Sequence, residues 1–342
     1  MTFQDLQAKQ PTHKALFMQI RLILKSLGIV LPILGILITS PVSATVTFLG
    51  DWSGFGSEFQ LTTAQTLYVN GKPIVWVADW RPNTWRMVNE AAIDRLTVMT
   101  DPTSPKKGAV LQVQVLPGDN AGSGERNEVF RMLDATGANF PVIGASGHEF
   151  YGVSVKLDPN WTPPLKDPAN WNNQWGLFLQ LHSPDSFHSP PAIALSAIGT
   201  FGVQMLAGNL IDAKGQRRNA ELSAFTNGAL NPGKWVQFLL DVVWAGDAKG
   251  SLTIYRRDEG KTAFAQVFSK IGVPTLQWNS QDPGSIGTHY WRCGYYRSVS
   301  PGVTSRLWLG PIVRGTTLSE VSVAAFGAIL IPKPPSALSV RN

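Results

Sequence analysis

From Leu111 to Val115 the chain alternates apolar and polar residues with a period of two. That period places successive side chains on opposite faces of a β-strand, and a helix cannot bury it along one face. Similar short runs, rich in Val, Leu, Phe and Thr, cover Phe150–Leu157, Gly176–His182, Phe201–Ala207, Trp235–Trp244, Ser251–Tyr255 and Ser305–Leu309. Gly, Pro, Asn and Asp clusters separate them. Beyond the first 44 residues there is no long stretch of helical period, and the one helix expected is short, near Asn89–Arg95. Many strands without an internal repeat predict an all-β sandwich or jelly roll.

The N-terminus reads as an address rather than as part of that fold. Lys9, Lys14, Arg21 and Lys25 precede an apolar run from Leu27 to Ile38, and Pro41-Val42-Ser43-Ala44 has the small-residue pattern of a signal-peptidase site. The run is shorter than the ~20 residues a membrane-spanning helix needs. Residues 1–44 are therefore expected to be a cleaved export signal, with an uncleaved anchor as the alternative, and the mature chain to be secreted, periplasmic or extracellular with no membrane span. Cleavage removes four of the 29 basic and one of the 23 acidic residues, lowering the net charge from +6 to +3. Such a mild excess is compatible with a polyanionic partner and is unlike the dense basic stripe of a nucleic-acid binder.

What remains suffices for one large domain, expected over residues 45–330, with a Pro-rich tail at 331–342. The domain is expected to be a monomer. Cys293 is the only cysteine, so no intrachain disulfide can form, and its default reading is a small buried side chain. Neither a Cys/His cluster with zinc spacing nor an Asp-rich calcium loop is present.

Three segments carry candidate chemistry: Arg126-Asn127-Glu128-Val129, Gln180-Leu181-His182, and Tyr290-Trp291-Arg292-Cys293-Gly294-Tyr295-Tyr296. Each lies in a strand-like stretch. Parity puts Arg126 with Glu128, Gln180 with His182, and Tyr290, Arg292 and Tyr296 on one face. With the three strands side by side, one face carries an Arg, a Gln, a His and a Tyr. That set can neutralise a carboxylate, remove a carbon-bound proton and protonate a leaving oxygen.

At these residues the chain resembles the polysaccharide lyases of β-jelly-roll fold, a group that includes alginate, glucuronan and heparin lyase I-type enzymes. Arg126-Asn127-Glu128-Val129-Phe130 is similar to the alginate-lyase signature Arg-Ser/Thr-Glu-Leu/Val-Arg, with Asn second and Phe fifth. Gln180-Leu181-His182 matches Gln-Ile/Val-His with Leu in the middle. Residues 290–298 resemble Tyr-Phe-Lys-Ala-Gly-x-Tyr-x-Gln, keeping both tyrosines, a base at the Lys position and the Gly, with Ser298 for the final Gln. Lys234–Trp244 and Gly250–Tyr255 look more like the heparin- and glucuronan-lyase side of the group. The resemblance spans roughly residues 50–325. It implies a concanavalin A-like β-jelly-roll sandwich with a concave substrate cleft, and cleavage of a uronic-acid polymer by β-elimination.

β-Elimination removes the proton on C5, beside the carboxylate, and expels the oxygen on C4. The carboxylate must be neutralised and the enolate-like charge stabilised. Arg126 supplies a planar guanidinium fork and Gln180 a neutral N–H donor. His182 is the candidate base. Tyr296 is the candidate acid, and base as well if the C5 proton and the C4 oxygen lie on one side of the ring. A free tyrosine, with a pKa of about 10, is a poor base without a nearby cation, and Arg292 is the expected cation. Glu128, Tyr290 and Arg292 are assigned to substrate binding, as are Lys214, Arg217 and Arg218 in a basic loop suited to an anionic polysaccharide. No cofactor is required; structural calcium is compatible with the scheme but not indicated.

Each of these residues also has a bland reading: a structural His, a surface ion pair between Arg126 and Glu128, a half-buried Tyr with a wet hydroxyl. Their occurrence together at matching motif positions favours the catalytic one. Trp76, Trp80, Trp85, Trp171 and Trp175 are candidates for stacking on sugar rings. A glycoside hydrolase would need paired carboxyl groups, and Glu125 and Glu128 have the wrong parity to share a strand face. A non-catalytic carbohydrate-binding protein on the same fold is the rival from another class.

Overall fold

The computed structural model describes residues 46–50, 52, 66–69, 72–80, 83–89, 95–101, 108–119, 124–134, 147–166, 174–182, 191–211, 217–277 and 289–327. Within 46–50, 66–69, 72–80, 83–89, 130–134, 206–211 and 217–227 it describes the backbone alone. All of these belong to the unit Ala44–Asn342.

Eighteen strands among the described residues form two antiparallel sheets. In chain order the strands of the first sheet are β1 (Val46–Gly50), β5 (Leu96–Thr100), β6 (Ala109–Val115), β8 (His148–Leu157), β13 (Trp235–Val243), β14 (Ser251–Asp258), β15 (Ala265–Ile271), β17 (Ser305–Leu309) and β18 (Ile312–Gly315). Those of the second are β2 (Thr66–Val69), β3 (Lys72–Trp80), β4 (Asn83–Asn89), β7 (Glu125–Asp134), β9 (Gly176–His182), β10 (Ile193–Ala197), β11 (Thr200–Ile211), β12 (Arg217–Ala229) and β16 (Tyr290–Arg297). The first sheet runs β15-β14-β13-β8-β17-β6-β5, with β18 joining β1 to β8. The second runs β12-β11-β10-β9-β16-β7-β4-β3-β2.

The inward faces of the two sheets share one core, which identifies a β-jelly-roll sandwich. Leu111, Val113, Val153, Phe238 and Leu240 come from the first sheet, and Val129, Leu181, Phe201, Trp291, Cys293 and Tyr295 from the second. Phe238 packs on Phe201 at 4.5 Å between ring centroids and on Phe178 at 5.8 Å, joining the layers. Each fully buried side chain of this kind contributes roughly 1.5–3 kcal/mol. With only one cysteine, this burial rather than covalent bridging holds the layers together.

The first sheet is covered on its other face as well, which explains why the β13 run reads as almost continuously apolar. Leu239, Phe150, Tyr255 and Val313 pack there against a helix, α1 (Leu318–Phe326). This helix differs from the sequence expectation. Of Asn89–Arg95, Asn89 ends a strand, Arg95 lies in a 3₁₀ turn and residues 90–94 lie outside the described residues. The signal for α1 is local. Thr317 caps the first turn by accepting the Glu320 N–H at 3.3 Å and donating to its carboxylate at 3.0 Å. Gly327, at φ 82°, closes the far end.

The described residues include no helix long and apolar enough to cross a membrane. The expected export signal and the C-terminal tail lie outside them, as do residues 167–173 and 183–190.

Candidate active site

Three neighbouring strands of the second sheet, β9, β16 and β7, carry the three motifs side by side. Parity decides which side chains reach the site. Val129, Leu181, Trp291, Cys293 and Tyr295 point into the core. The residues between them, Arg126, Glu128, Gln180, His182, Tyr290, Arg292 and Tyr296, therefore occupy the opposite face. Burial raises the pKa of the Cys293 thiol well above its ordinary value, with the Glu128 charge adding to it, so Cys293 is a core residue and not a nucleophile.

Three inward residues, Glu125, Asn127 and Arg297, anchor this block. Arg297 Nη2 pairs with Glu125 at 2.8 Å, both fully buried, and donates to the Val303 carbonyl at 2.6 Å, while Nη1 donates to Ser305 Oγ at 2.6 Å. Glu125 also accepts the backbone N–H groups of Gly118 and Ser300. Asn127 donates to the Gln114 carbonyl at 2.7 Å and to Asp119 at 2.9 Å. The strands that display the site are thus tied across the sandwich by their alternate residues.

On the site face, register fixes the order along β16. Tyr290 stands opposite His182, Arg292 opposite Gln180, Gly294 opposite Glu128, and Tyr296 opposite Arg126. Arg126 holds its guanidinium 3.7 Å from the centroid of the Tyr296 ring, and Trp175 meets the same ring edge-on at 4.5 Å. Arg126 Nε lies 3.3 Å from Glu128 Oε2, and the Gln180 amide donates to Glu128 Oε1. At the other end, Arg292 Nε donates to the Tyr290 hydroxyl at 3.0 Å, as does Nη2, and His182 stacks on the Tyr290 ring at 5.6 Å.

The seven residues thus share a face but form two groups. Tyr290 and Tyr296 are six residue steps apart on β16, roughly 20 Å of strand rise, and His182 stands opposite the first of them, so His182 and Tyr296 are not neighbours. Arg292 was expected to be the cation beside Tyr296. Instead its hydroxyl partner is Tyr290, and the guanidinium over Tyr296 belongs to Arg126. Glu128, assigned to substrate binding from the sequence, is fully buried, with Gln180 on one carboxylate oxygen and Arg126 facing the other. Lys214 lies outside the described residues, as do the side chains of Arg217 and Arg218 and of Trp76, Trp80 and Trp85; Trp171 lies outside them too.

Gly294 went unremarked in the sequence reading beyond its motif position. Its φ is 151°, and a Cβ there would lie 2.3 Å from the Asn127 carbonyl oxygen and 2.5 Å from Glu128 Cα. Both are backbone atoms of β7 and cannot swing aside. Gly294→Ala is expected to push β7 off β16, lowering the thermal midpoint by several degrees and turnover by at least about tenfold. A variant with wild-type melting and turnover would contradict this close approach.

A model of the polysaccharide lyase family matches residues 75–312, which contain all three motifs. The chain belongs to the polysaccharide lyase family. Among solved structures, this lyase is similar to an endo-β-1,4-glucuronan lyase from the fungus Trichoderma reesei. Identity is 15%, covering 81% of this chain and 98% of that one, with a TM-score of 0.49. It is also similar to an alginate lyase from Aplysia kurodai at 10% identity, covering 66% of this chain and 89% of that one, with a TM-score of 0.41. No curated protein matches it significantly.

Proposed function

We propose that this polysaccharide lyase is exported and cleaves a uronic-acid polymer by β-elimination, leaving an unsaturated uronate at the new end. The observation that carries the reading is one sheet face, formed by β7, β9 and β16, that carries Arg126, Gln180, Arg292 and Tyr296. A sugar laid along that face meets two guanidinium groups, an amide and a phenol. Arg126 and Gln180 take the carboxylate and stabilise the charge that grows on it as C5 loses its proton.

The strand spacing favours Tyr296 as the group that both takes the C5 proton and returns one to the C4 oxygen, on one side of the ring. A base and an acid acting on the same sugar must each lie within hydrogen-bond reach of it. His182, beside Tyr290, stands too far along β16 to share one ring with Tyr296 and is left to the adjoining stretch of polymer. The basic, apolar and small-residue segments of residues 1–44 support export. Glucuronan, alginate and heparin-type chains all carry the required carboxylate beside C5.

The test is ultraviolet absorbance during incubation of the mature protein with glucuronan, alginate, hyaluronan and heparin. Absorbance is expected to rise with at least one of them, which identifies the uronate in the same assay. Loss of polymer viscosity with no rise for any of the four would reject elimination.

A further inference from the structure

We propose that Glu128 is a positioning residue, which fixes the amide of Gln180 in the one orientation that elimination can use. The inference rests on the β-elimination reading above.

Strands β7 and β9 are not paired with each other; each is hydrogen-bonded to β16, which runs between them. Two strand spacings separate them, about 9–10 Å. Even so, the Gln180 amide reaches Glu128. The contact passes over β16 at Gly294, the residue opposite Glu128, where no side chain stands in the way. Glu128 is fully buried and Gln180 nearly so, at 2% exposure.

An ionised carboxylate only accepts hydrogen bonds. Whatever faces Glu128 must therefore donate, and Gln180 must turn its NH₂ group, not its carbonyl oxygen, toward it. Without that carboxylate, the strongest partners nearby would be the guanidinium groups on the same face, Arg292 opposite Gln180 and Arg126. A guanidinium only donates, so it would draw the amide oxygen of Gln180 instead. The amide would then be reversed, and its N–H groups withdrawn from the place where a substrate carboxylate needs a donor. Glu128 sits between the two donors and accepts from Gln180 on Oε1 while facing Arg126 on Oε2. It touches no substrate and acts through its neighbours.

The test is a double-mutant cycle read as kcat and KM, on whichever of glucuronan, alginate, hyaluronan or heparin the wild type cleaves. Glu128→Gln keeps the shape but can donate as well as accept, so the Gln180 amide is free to reverse. The expected result is a fall in kcat of about 10- to 100-fold with KM changed less than about threefold, because the lost interaction strengthens in the transition state. In a Gln180→Ala background the same substitution is expected to cost less than about threefold more. Glu128→Asp keeps the charge but retracts it by one methylene, and is expected to fall between Glu128→Gln and wild type. It also serves if Glu128→Gln does not fold.

Unchanged kcat in both Glu128 variants, or a Glu128→Gln loss fully additive with Gln180→Ala, overturns the proposal while leaving elimination intact. If Gln180→Ala alone is silent, the assignment of Gln180 to the substrate carboxylate fails, and this inference falls with it.

Discussion

Tyr296→Phe is expected to lower kcat by about a thousandfold while KM moves less than about threefold. The substitution removes one oxygen and keeps the ring. Arg126 over its face and Trp175 at its edge keep their contacts, so the architecture of the site should survive. What is lost is the group proposed to carry both protons. Each general acid or base step contributes roughly 10²–10⁴-fold, and one hydroxyl serving two steps puts the effect well inside that range. A variant retaining more than about a tenth of wild-type turnover would move the proton transfer elsewhere. Tyr290 would then be the next candidate, because Arg292 donates to its hydroxyl and His182 stacks on its ring.

The second large effect concerns stability. Arg297→Met should destabilise the domain by about 3–5 kcal/mol. The arginine is fully buried at the end of the site strand, and its loss leaves the Glu125 carboxylate in the interior without its cation. The Gly118 and Ser300 N–H groups still reach Glu125, but two neutral donors do not replace a paired charge. Burial pushes the Arg297 guanidinium below its usual range, and the Glu125 charge is the chief opposing influence. Replacing both partners, as in Glu125→Gln with Arg297→Met, should recover much of the loss, since no charge is then stranded. Denaturant unfolding of Arg297→Met, Glu125→Gln and the double variant measures this. A single variant within about 1 kcal/mol of wild type would show that the pair does not secure β16 to β7.

The strands were legible because period two survives in sequence. Gly176–His182 and Ser305–Leu309 were read with the bounds that the structure shows. Parity within a strand was legible for the same reason: it correctly separated Glu125 from Glu128, one bound to Arg297 beneath the sheet and the other to Arg126 above it. The order of residues between strands was not legible. Nothing in the sequence near Tyr296 says that Arg126 rather than Arg292 will lie on its ring. That follows from the register of β16 against β7, set by pairing between segments more than 150 residues apart. The burial of Glu128 was not legible for a related reason: its partner Gln180 reaches it from a third strand. The α1 helix was missed because nine residues give little periodicity, although Thr317 and Glu320 carried its start signal.

The most direct measurement on the central claim is the mass of the oligosaccharides released from the cleaved uronate polymer. Elimination adds no water, so each new non-reducing end should be one water lighter than the hydrolysis product and should show a vinylic proton by NMR. Fragments with the mass of saturated, hydrated ends would contradict elimination and return the site to a hydrolytic chemistry that its residues do not otherwise suggest.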